Sequence, residues 1–278
     1  MSTLELNQRV PKEPGGLLRY WREVRGVSQL DLSLDAGISQ RQISFIESGR
    51  SVPGRQTLLN IAQSLDVPLR ERNTLLLAAG YAPMYSEAAW SAQEMSLVTS
   101  AARRVLQQHE PFPAIVMDRY WNVLLTNRAA PDFFNRFVDM TAHAEPRNIL
   151  HLIFDPSGLR PHLANWETLA RSLIQRVQRE SVGHVVDLQT QQLLDALLSY
   201  PCVRPEWRSQ GMAGSPSTLP MVPMGFIDDG AVLNYFSMVT TIGTPLTVAA
   251  QELRIECMFP ADGETEARHI ALLEANNE

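Results

Sequence analysis

Lysine is almost missing from this chain of 278 residues: Lys12 is the only one, and every other cationic side chain is arginine. Self-cleavage of the Ser/Lys type needs a lysine in the second half of the chain, so that chemistry is excluded. Cysteine is scarce too. Cys202 and Cys257 are too few for a disulfide framework and have no partner at metal-ligand spacing, so both read as small buried residues. Six histidines, at 109, 143, 151, 162, 184 and 269, are scattered without an HExxH or CxxC pattern, which leaves no metal or haem site to propose. GxSxG, the P-loop and GxGxxG are all absent, and Asp228 and Asp229 sit in a turn where aspartate is expected for conformational reasons. Nothing therefore points to an enzyme or to a bound cofactor. No apolar run reaches about 18 residues, and no charged-then-apolar leader opens the chain, so the expected location is the cytoplasm. A hydrophobic content of 45% with 19% charged residues excludes general disorder.

The net charge of −6 divides unevenly: residues 1–80 hold ten cationic and eight acidic side chains, a balance of +2, and the remainder carries −8. Within the first part lies Ser28 to Arg50, SQLDLSLDAGISQRQISFIESGR, which reads as two short helices joined by a tight turn. Ser28 with Asp31 and Ser39 with Gln42 each fit a capping box, where the first side chain satisfies a free helix amide and the fourth reaches back. Gly37 can take the positive φ that ends the first helix, and Ile38 packs under the turn. Leu30, Leu34, Ile38, Ile43 and Ile46 supply the expected apolar face. Gln40, Arg41, Ser44 and Phe45 project from the opposite side of the second helix, near its N-terminus, where such a pair presents side chains to base edges in the major groove.

Ser28-Gln29-Leu30, Ala36-Gly37-Ile38-Ser39, and Ile43 through Ile46-Glu47-Ser48-Gly49-Arg50 carry a specific resemblance to the helix-turn-helix of Cro/CI-like, XRE-type regulators. The resemblance implies that Gln29 contacts the DNA backbone and braces the recognition helix. It places the DNA-reading positions on Ser39, Gln40, Arg41, Ser44 and Phe45. Phe45 departs from the polar residue often found at that place; contact with a thymine methyl and simple packing both account for it. Arg50 and Arg55 flank the groove-facing helix and are placed to hold phosphates, with a solvated surface arginine as the alternative for each. A weakly positive face joined to an acidic partner implies modest non-specific affinity, with tight binding dependent on base contacts and on a homodimer.

Around the motif, residues 1–14 read as a flexible arm and 15–80 as an all-α domain of five helices. The first helix carries Leu17, Leu18, Trp21 and Val24 and stops at Gly26; the fifth runs from Pro68 to Ala79. Residues 81–92 form a linker, and 93–278 a mixed domain with an antiparallel sheet and flanking helices. That domain opens with a helix over Ala92 to His109 and two short strands, PAIVMD and WNVLLTN. Helices follow at Arg128 to Val138, Ile149 to Phe154, His162 to Glu180 and Leu188 to Leu198. After a proline-rich excursion from Cys202 to Pro223 come strands at Met221 to Ile227, Ala231 to Thr241 and Glu252 to Pro260, then a helix at Thr265 to Glu274.

Pro113 to Val123, Thr126-Asn127-Arg128-Ala129-Ala130, Leu253 to Glu256 and Phe259 to Asp262 resemble the MmyB-like family of XRE regulators, where a PAS-like ligand-binding and dimerisation domain follows the DNA-binding one. The resemblance implies a cavity between sheet and helices that accepts a small apolar molecule such as a fatty acid or related acyl compound. Met117, Trp121, Phe133, Phe137, Trp166, Met224, Phe236 and Met238 are the candidate lining, although the same side chains suit an ordinary core. The function expected is a dimeric, sequence-specific DNA-binding regulator modulated by that ligand. The alternative is a DNA-binding adaptor or antitoxin-like protein whose C-terminal domain binds a protein partner.

Overall fold

A computed structural model describes residues 13–142, 146–182, 188–208 and 221–275. The arm at 1–12 and most of the proline-rich excursion lie outside the described residues. The described residues form two compact units, one of 13–88 with 181–182 and 244–251, the other of 89–142, 146–180, 188–208, 221–243 and 252–275.

Five helices build the first unit: α1 (Pro14–Val24), α2 (Gln29–Ala36), α3 (Gln40–Glu47), α4 (Arg55–Ser64) and α5 (Leu69–Ala78). They close around Trp21, which is fully buried with Leu18, Leu32, Ile43, Leu58 and Leu76. The α2–α3 turn forms as its chemistry dictates. Gly37 takes φ +67, a left-handed value that costs glycine no Cβ clash, and the Ile38 amide returns to the Ser33 carbonyl at 3.0 Å. Ser39 and Gln42 make the full reciprocal capping box. At Ser28 only half of it forms: the hydroxyl accepts from the Asp31 amide, but the Asp31 carboxylate takes the same hydroxyl's proton at 2.6 Å. The apolar face of α2 also differs from expectation. Leu30 and Leu34 are exposed, and Leu32 with Ala36 enters the core. Eight residues carry leucine on both sides of this helix, so periodicity alone does not choose between them.

Asn73, at 2% exposure, organises the stretch of chain after α5. Its carbonyl accepts the Met84 and Tyr85 amides and its own amide donates to the Tyr85 carbonyl, so the first half of the linker lies fixed along the helix. Residues 244–251 join the same unit through Gln251, whose side-chain oxygen accepts the Leu69 amide at 2.7 Å.

The second unit is built on a five-stranded antiparallel sheet. Its strands are β1 (Ala114–Met117), β2 (Val123–Thr126), β3 (Met224–Asp228), β4 (Ala231–Thr240) and β5 (Arg254–Pro260), in the order β2-β1-β5-β4-β3. Asp229 and Gly230, both at positive φ, make the β3–β4 turn. On one face α6 (Ser96–Gln108) lays Ala102 and Leu106 over Ala114, Val116, Ile255 and Cys257. The other face carries the main core with α7 (Ala129–Phe134), α8 (Ile149–Phe154), α9 (Trp166–Val182) and α10 (Leu188–Ser199). In the chain, the short α11 (Val248–Glu252) follows β4 and falls almost wholly in the first unit, and α12 (Gly263–Ala275) ends the described residues. Helix α7 is shorter than expected because the bonds tighten to the i→i−3 pattern, with the Arg136 amide on the Phe133 carbonyl and the Phe137 amide on the Phe134 carbonyl. Cys257 is buried, but Cys202 is exposed at φ +69, against the expectation that both are core residues.

Asn127 ties the start of this unit together. It is 7% exposed, its oxygen accepts the Ala114 and Ala130 amides, and its nitrogen donates to the Phe112 carbonyl at 2.7 Å. One side chain thus satisfies backbone at the start of β1, at the start of α7 and in the loop before the sheet.

Candidate nucleic-acid interface and ligand cavity

Helix α3 presents Ser39, Gln40, Arg41 and Ser44 to solvent, and Arg50 and Arg55 are exposed beyond its C-terminal end. Ile43, Ile46 and Glu47 turn inward. Phe45 is half-buried between two cations: the Arg41 guanidinium lies 5.1 Å and the Arg50 guanidinium 5.8 Å from its ring centroid. Such contacts are worth roughly 0.5–1 kcal/mol at exposed sites. The ring therefore steadies one arginine on the exposed side of α3 and one just beyond its C-terminal end.

Behind this face sits Glu47, its side chain 1% exposed. Arg22 donates to it from Nε at 2.6 Å and Nη2 at 3.0 Å, and Gln29 from Nε2 at 2.8 Å; Arg19 is 3.6 Å away. Burial pushes the Glu47 carboxyl up, but the hydrogen bonds from Arg22 and Gln29, with the Arg22 and Arg19 charges, outweigh it and hold the group below the usual carboxylate range. The same hydrogen bond raises Arg22 further. Gln29 thus spends its side-chain amide on Glu47, the last residue of α3. Glu47 itself did not stand out as a functional position in the sequence. Its signal is a carboxylate next to Ile46 and one helical turn after Ile43 on the buried side, where an unpaired charge is not tolerated.

The second unit holds a partly open cavity of about 160 Å3 between the sheet and the helices of the main core. Of the eight expected lining residues, the structure brings two to it, Trp121 and Met224. Met117 is fully buried in the surrounding core. Phe133 packs edge-on against Phe134, Phe226 and Tyr235, and Phe137 against Phe133 and Phe226, so both belong to a filled aromatic cluster. Trp166 donates its indole N–H to the Ile153 carbonyl at 2.9 Å under the Arg160 guanidinium. Phe236 and Met238 lie on the other face of the sheet: Phe236 stacks on Phe259, and Met238 is 58% exposed. Successive residues of a strand point to opposite faces, so the residue that β4 gives the cavity is Ser237, between them. The remaining polar lining comes from Ser172 and Arg176 of α9 and Glu256 of β5, set among Ile153, Leu163, Leu169, Phe226 and Met258. Ser172 and Arg176 lie in the polar-rich run RSLIQRVQRE and Glu256 close to Arg254, so the sequence does not set them apart from the polar residues that face solvent.

Two further polar groups in this unit are internally satisfied. The His269 Nε2–H donates to the Pro111 carbonyl at 3.0 Å, which leaves Nδ1 to accept the Tyr235 hydroxyl at 2.7 Å. Burial raises the tyrosine and lowers the histidine, so both stay neutral. Among the described residues no group of three or more His, Cys, Asp or Glu is placed to hold a metal ion, and no helix is long and apolar enough to cross a membrane.

Comparison with known families agrees with this division. Residues 18–72 match the helix-turn-helix family model, and residues 98–272 match the model of the MmyB-like transcription regulator ligand binding domain. Among curated proteins, none matches the chain significantly. A helix-turn-helix pair held by Glu47, followed by a sheet with a lined cavity and a family match over more than half of the chain, has one reading: the protein belongs to the MmyB-like transcription regulators, with a DNA-binding domain of the XRE helix-turn-helix type.

Proposed function

We propose that this regulator binds an operator as a homodimer in the cytoplasm and that a small apolar molecule, of the fatty acid or acyl class, modulates the binding from the cavity. The observation that carries the reading is the solvent-facing row Ser39, Gln40, Arg41 and Ser44 on a helix whose inner side is locked by Glu47. Polar side chains at the N-terminal end of such a helix are the ones that reach base edges. Arg41 is the candidate for a bidentate contact to guanine, and Arg50 and Arg55 are the candidates for phosphates. The strand order β2-β1-β5-β4-β3 with helices on the cavity face supports a PAS-like sensor as the second domain. The mechanism is groove reading without covalent chemistry. A ligand alters it only by binding two arrangements of the dimer with different affinity. Half-sites one helical turn apart, about 34 Å, respond to such a change.

The test is selection of bound duplexes from a random pool by the purified full chain at low ionic strength, followed by gel shift and mass spectrometry of small molecules released from the same preparation. The expected result is a two-fold symmetric site, and an acyl compound whose addition or removal changes affinity for it. A chain that enriches no duplex has no such function.

A further inference from the structure

Two neighbouring residues of α11 are fastened to different units. The division between the units falls at the peptide bond from Gln251 to Glu252, so Gln251 belongs to the first and Glu252 to the second. On the first side, helix α5 begins at Leu69 behind Pro68, and no side chain of its own N-terminus caps it. The first amides of a helix have no intrahelical acceptor. The Leu69 amide finds one in the Gln251 side chain at 2.7 Å. The approach of Gln251 is fastened as well: the Val248 amide donates to the Ser86 carbonyl at 2.9 Å, directly after the backbone that Asn73 holds at Met84 and Tyr85. The connection from β4 to β5 thus acts as the distant cap of a helix in the helix-turn-helix unit.

On the second side, Glu252 accepts from Arg119 Nη1 at 2.8 Å, in an ion pair whose side chains are 7% exposed for the arginine and 16% for the glutamate. The pair continues the register of β1 on β5. Ile115 opposes Glu256 and Met117 opposes Arg254, so Arg119 and Glu252 come next. Arg119 sits in the β1–β2 turn, which gives Trp121 to the cavity lining, and Ile115 and Glu256 line it too. That turn is tied into one piece: Asp118 accepts the Tyr120 amide at 2.8 Å and the Asn122 amide at 3.0 Å through one oxygen, and the Asn122 side chain at 2.9 Å through the other. A displacement of this wall of the cavity therefore reaches Glu252 by two routes, through Arg119 and through the start of β5.

Helix α5 is suited to receive such a displacement. Its Leu75 and Leu76 belong to the core around Trp21 of α1. Helix α1 in turn supplies Arg22 to Glu47 at the end of α3. The amide that Gln251 holds is thus on a helix whose packing reaches α3 through α1.

We propose that the step from Gln251 to Glu252 is the joint that couples the cavity to the helix-turn-helix unit. Occupation of the cavity displaces the Trp121 turn, Arg119 passes the displacement to Glu252, and the oxygen of Gln251 shifts against the Leu69 amide at the start of α5. Gln251 and Glu252 act as positioning residues. The inference rests on reading the cavity as the site from which DNA binding is modulated, and it adds the route.

The test is hydrogen exchange on the full chain, read on peptides from the start of α5 and from the β1–β2 turn. Coupling is reciprocal, so each substitution is read in the unit that does not contain it. Gln251→Ala removes the capping oxygen and is expected to speed exchange in the β1–β2 turn by about threefold or more. Arg119→Gln is expected to do the same at the start of α5, and Gln251→Ala alone decides where Arg119→Gln does not fold. Gln251→Glu keeps an acceptor oxygen and should match the unsubstituted chain. A second arm adds a duplex selected from a random pool. Its binding is expected to change exchange in the β1–β2 turn of the unsubstituted chain, and Gln251→Ala to cut that change by about threefold or more. If Gln251→Ala alters only α5 and Arg119→Gln only its own turn, Gln251 is a local helix cap; the proposal falls and modulated DNA binding stands by another route. A duplex-induced change that survives Gln251→Ala intact overturns it equally. A duplex that binds and leaves the second unit unchanged overturns both the joint and the modulation. Enrichment of no duplex removes the DNA-binding reading, and the joint is then judged on the free chain alone.

Discussion

Replacing Glu47 with glutamine removes one charge and almost no volume, at a point where four side chains from three helices meet. In the structure the carboxylate receives three hydrogen bonds of 2.6–3.0 Å, two of them from Arg22, whose side chain is only 13% exposed. Breaking a buried ion pair by removing one partner costs about 3–5 kcal/mol. The glutamine carbonyl still accepts one bond, so the lower end, about 3 kcal/mol, is the value expected. A domain of this size is stable by only a few kcal/mol, at roughly 0.05–0.15 per residue, so the change consumes much of its margin. Hydrogen exchange on the full chain, read on peptides from α1 to α5, is the assay. Protection there should fall by about a hundredfold. The pH dependence gives an independent arm. Because the Glu47 carboxyl is held below its usual range, its stabilisation is fully present above the ordinary glutamate pKa near 4.3 and is lost as pH falls through that value toward the folded one. The gap between wild type and Glu47→Gln should therefore close on acidification. A loss of protection under about threefold, or a gap that persists in acid, refutes the argument.

Four other substitutions probe separate parts of the structure. A Cβ at Gly15 would collide with the Ile46 carbonyl oxygen, so Gly15→Ala should destabilise the first unit by about 1–3 kcal/mol in urea unfolding, although alanine gains helix propensity of about 1 kcal/mol; a stabilised variant would show that α1 and α3 move apart freely. Asn127→Ala strands the buried Ala114 amide and the Phe112 carbonyl, and at about 1–3 kcal/mol for each unmet group it should lower thermal stability by several degrees; an unchanged melting curve would mean that water replaces the side chain. On a selected operator, Arg41→Ala should relax preference at one base pair by about 1–3 kcal/mol, and equal loss on every sequence would remove its base-reading role. Arg50→Ala should weaken all duplexes alike and make the salt dependence shallower by about one counterion; an unchanged salt slope contradicts the phosphate contact.

Features written in local chemistry were legible before any coordinates. The Ser39 and Gln42 cap, the left-handed Gly37 and the bounds Ile149–Phe154 follow from residues within a few positions of one another. So does the run Thr126 to Ala130, whose Asn127 proves to be the joint of the second unit. Facing was harder to read. Helix α2 has leucine on both sides, and β4 alternates so that its large apolar residues Phe236 and Met238 point away from the cavity while Ser237 points in. The rule that apolar residues line an apolar cavity selects the wrong parity there. Long-range pairings left no local trace at all. Gln251 meets the Leu69 amide across 182 positions, and nothing near either residue signals it.

The ring of Phe45 has a consequence for how the recognition surface meets a polyanion. An arginine pinned by a carboxylate arrives with part of its charge already neutralised, whereas one resting on an aromatic face arrives whole. Arg41 and Arg50 are held in the second way. In the proposed operator complex, their approach to duplex DNA forfeits less side-chain freedom without surrendering any of the ion displacement that drives association. Rigidity and full charge, which an acidic neighbour would set against each other, coexist on this face because one phenyl group serves both guanidinium groups.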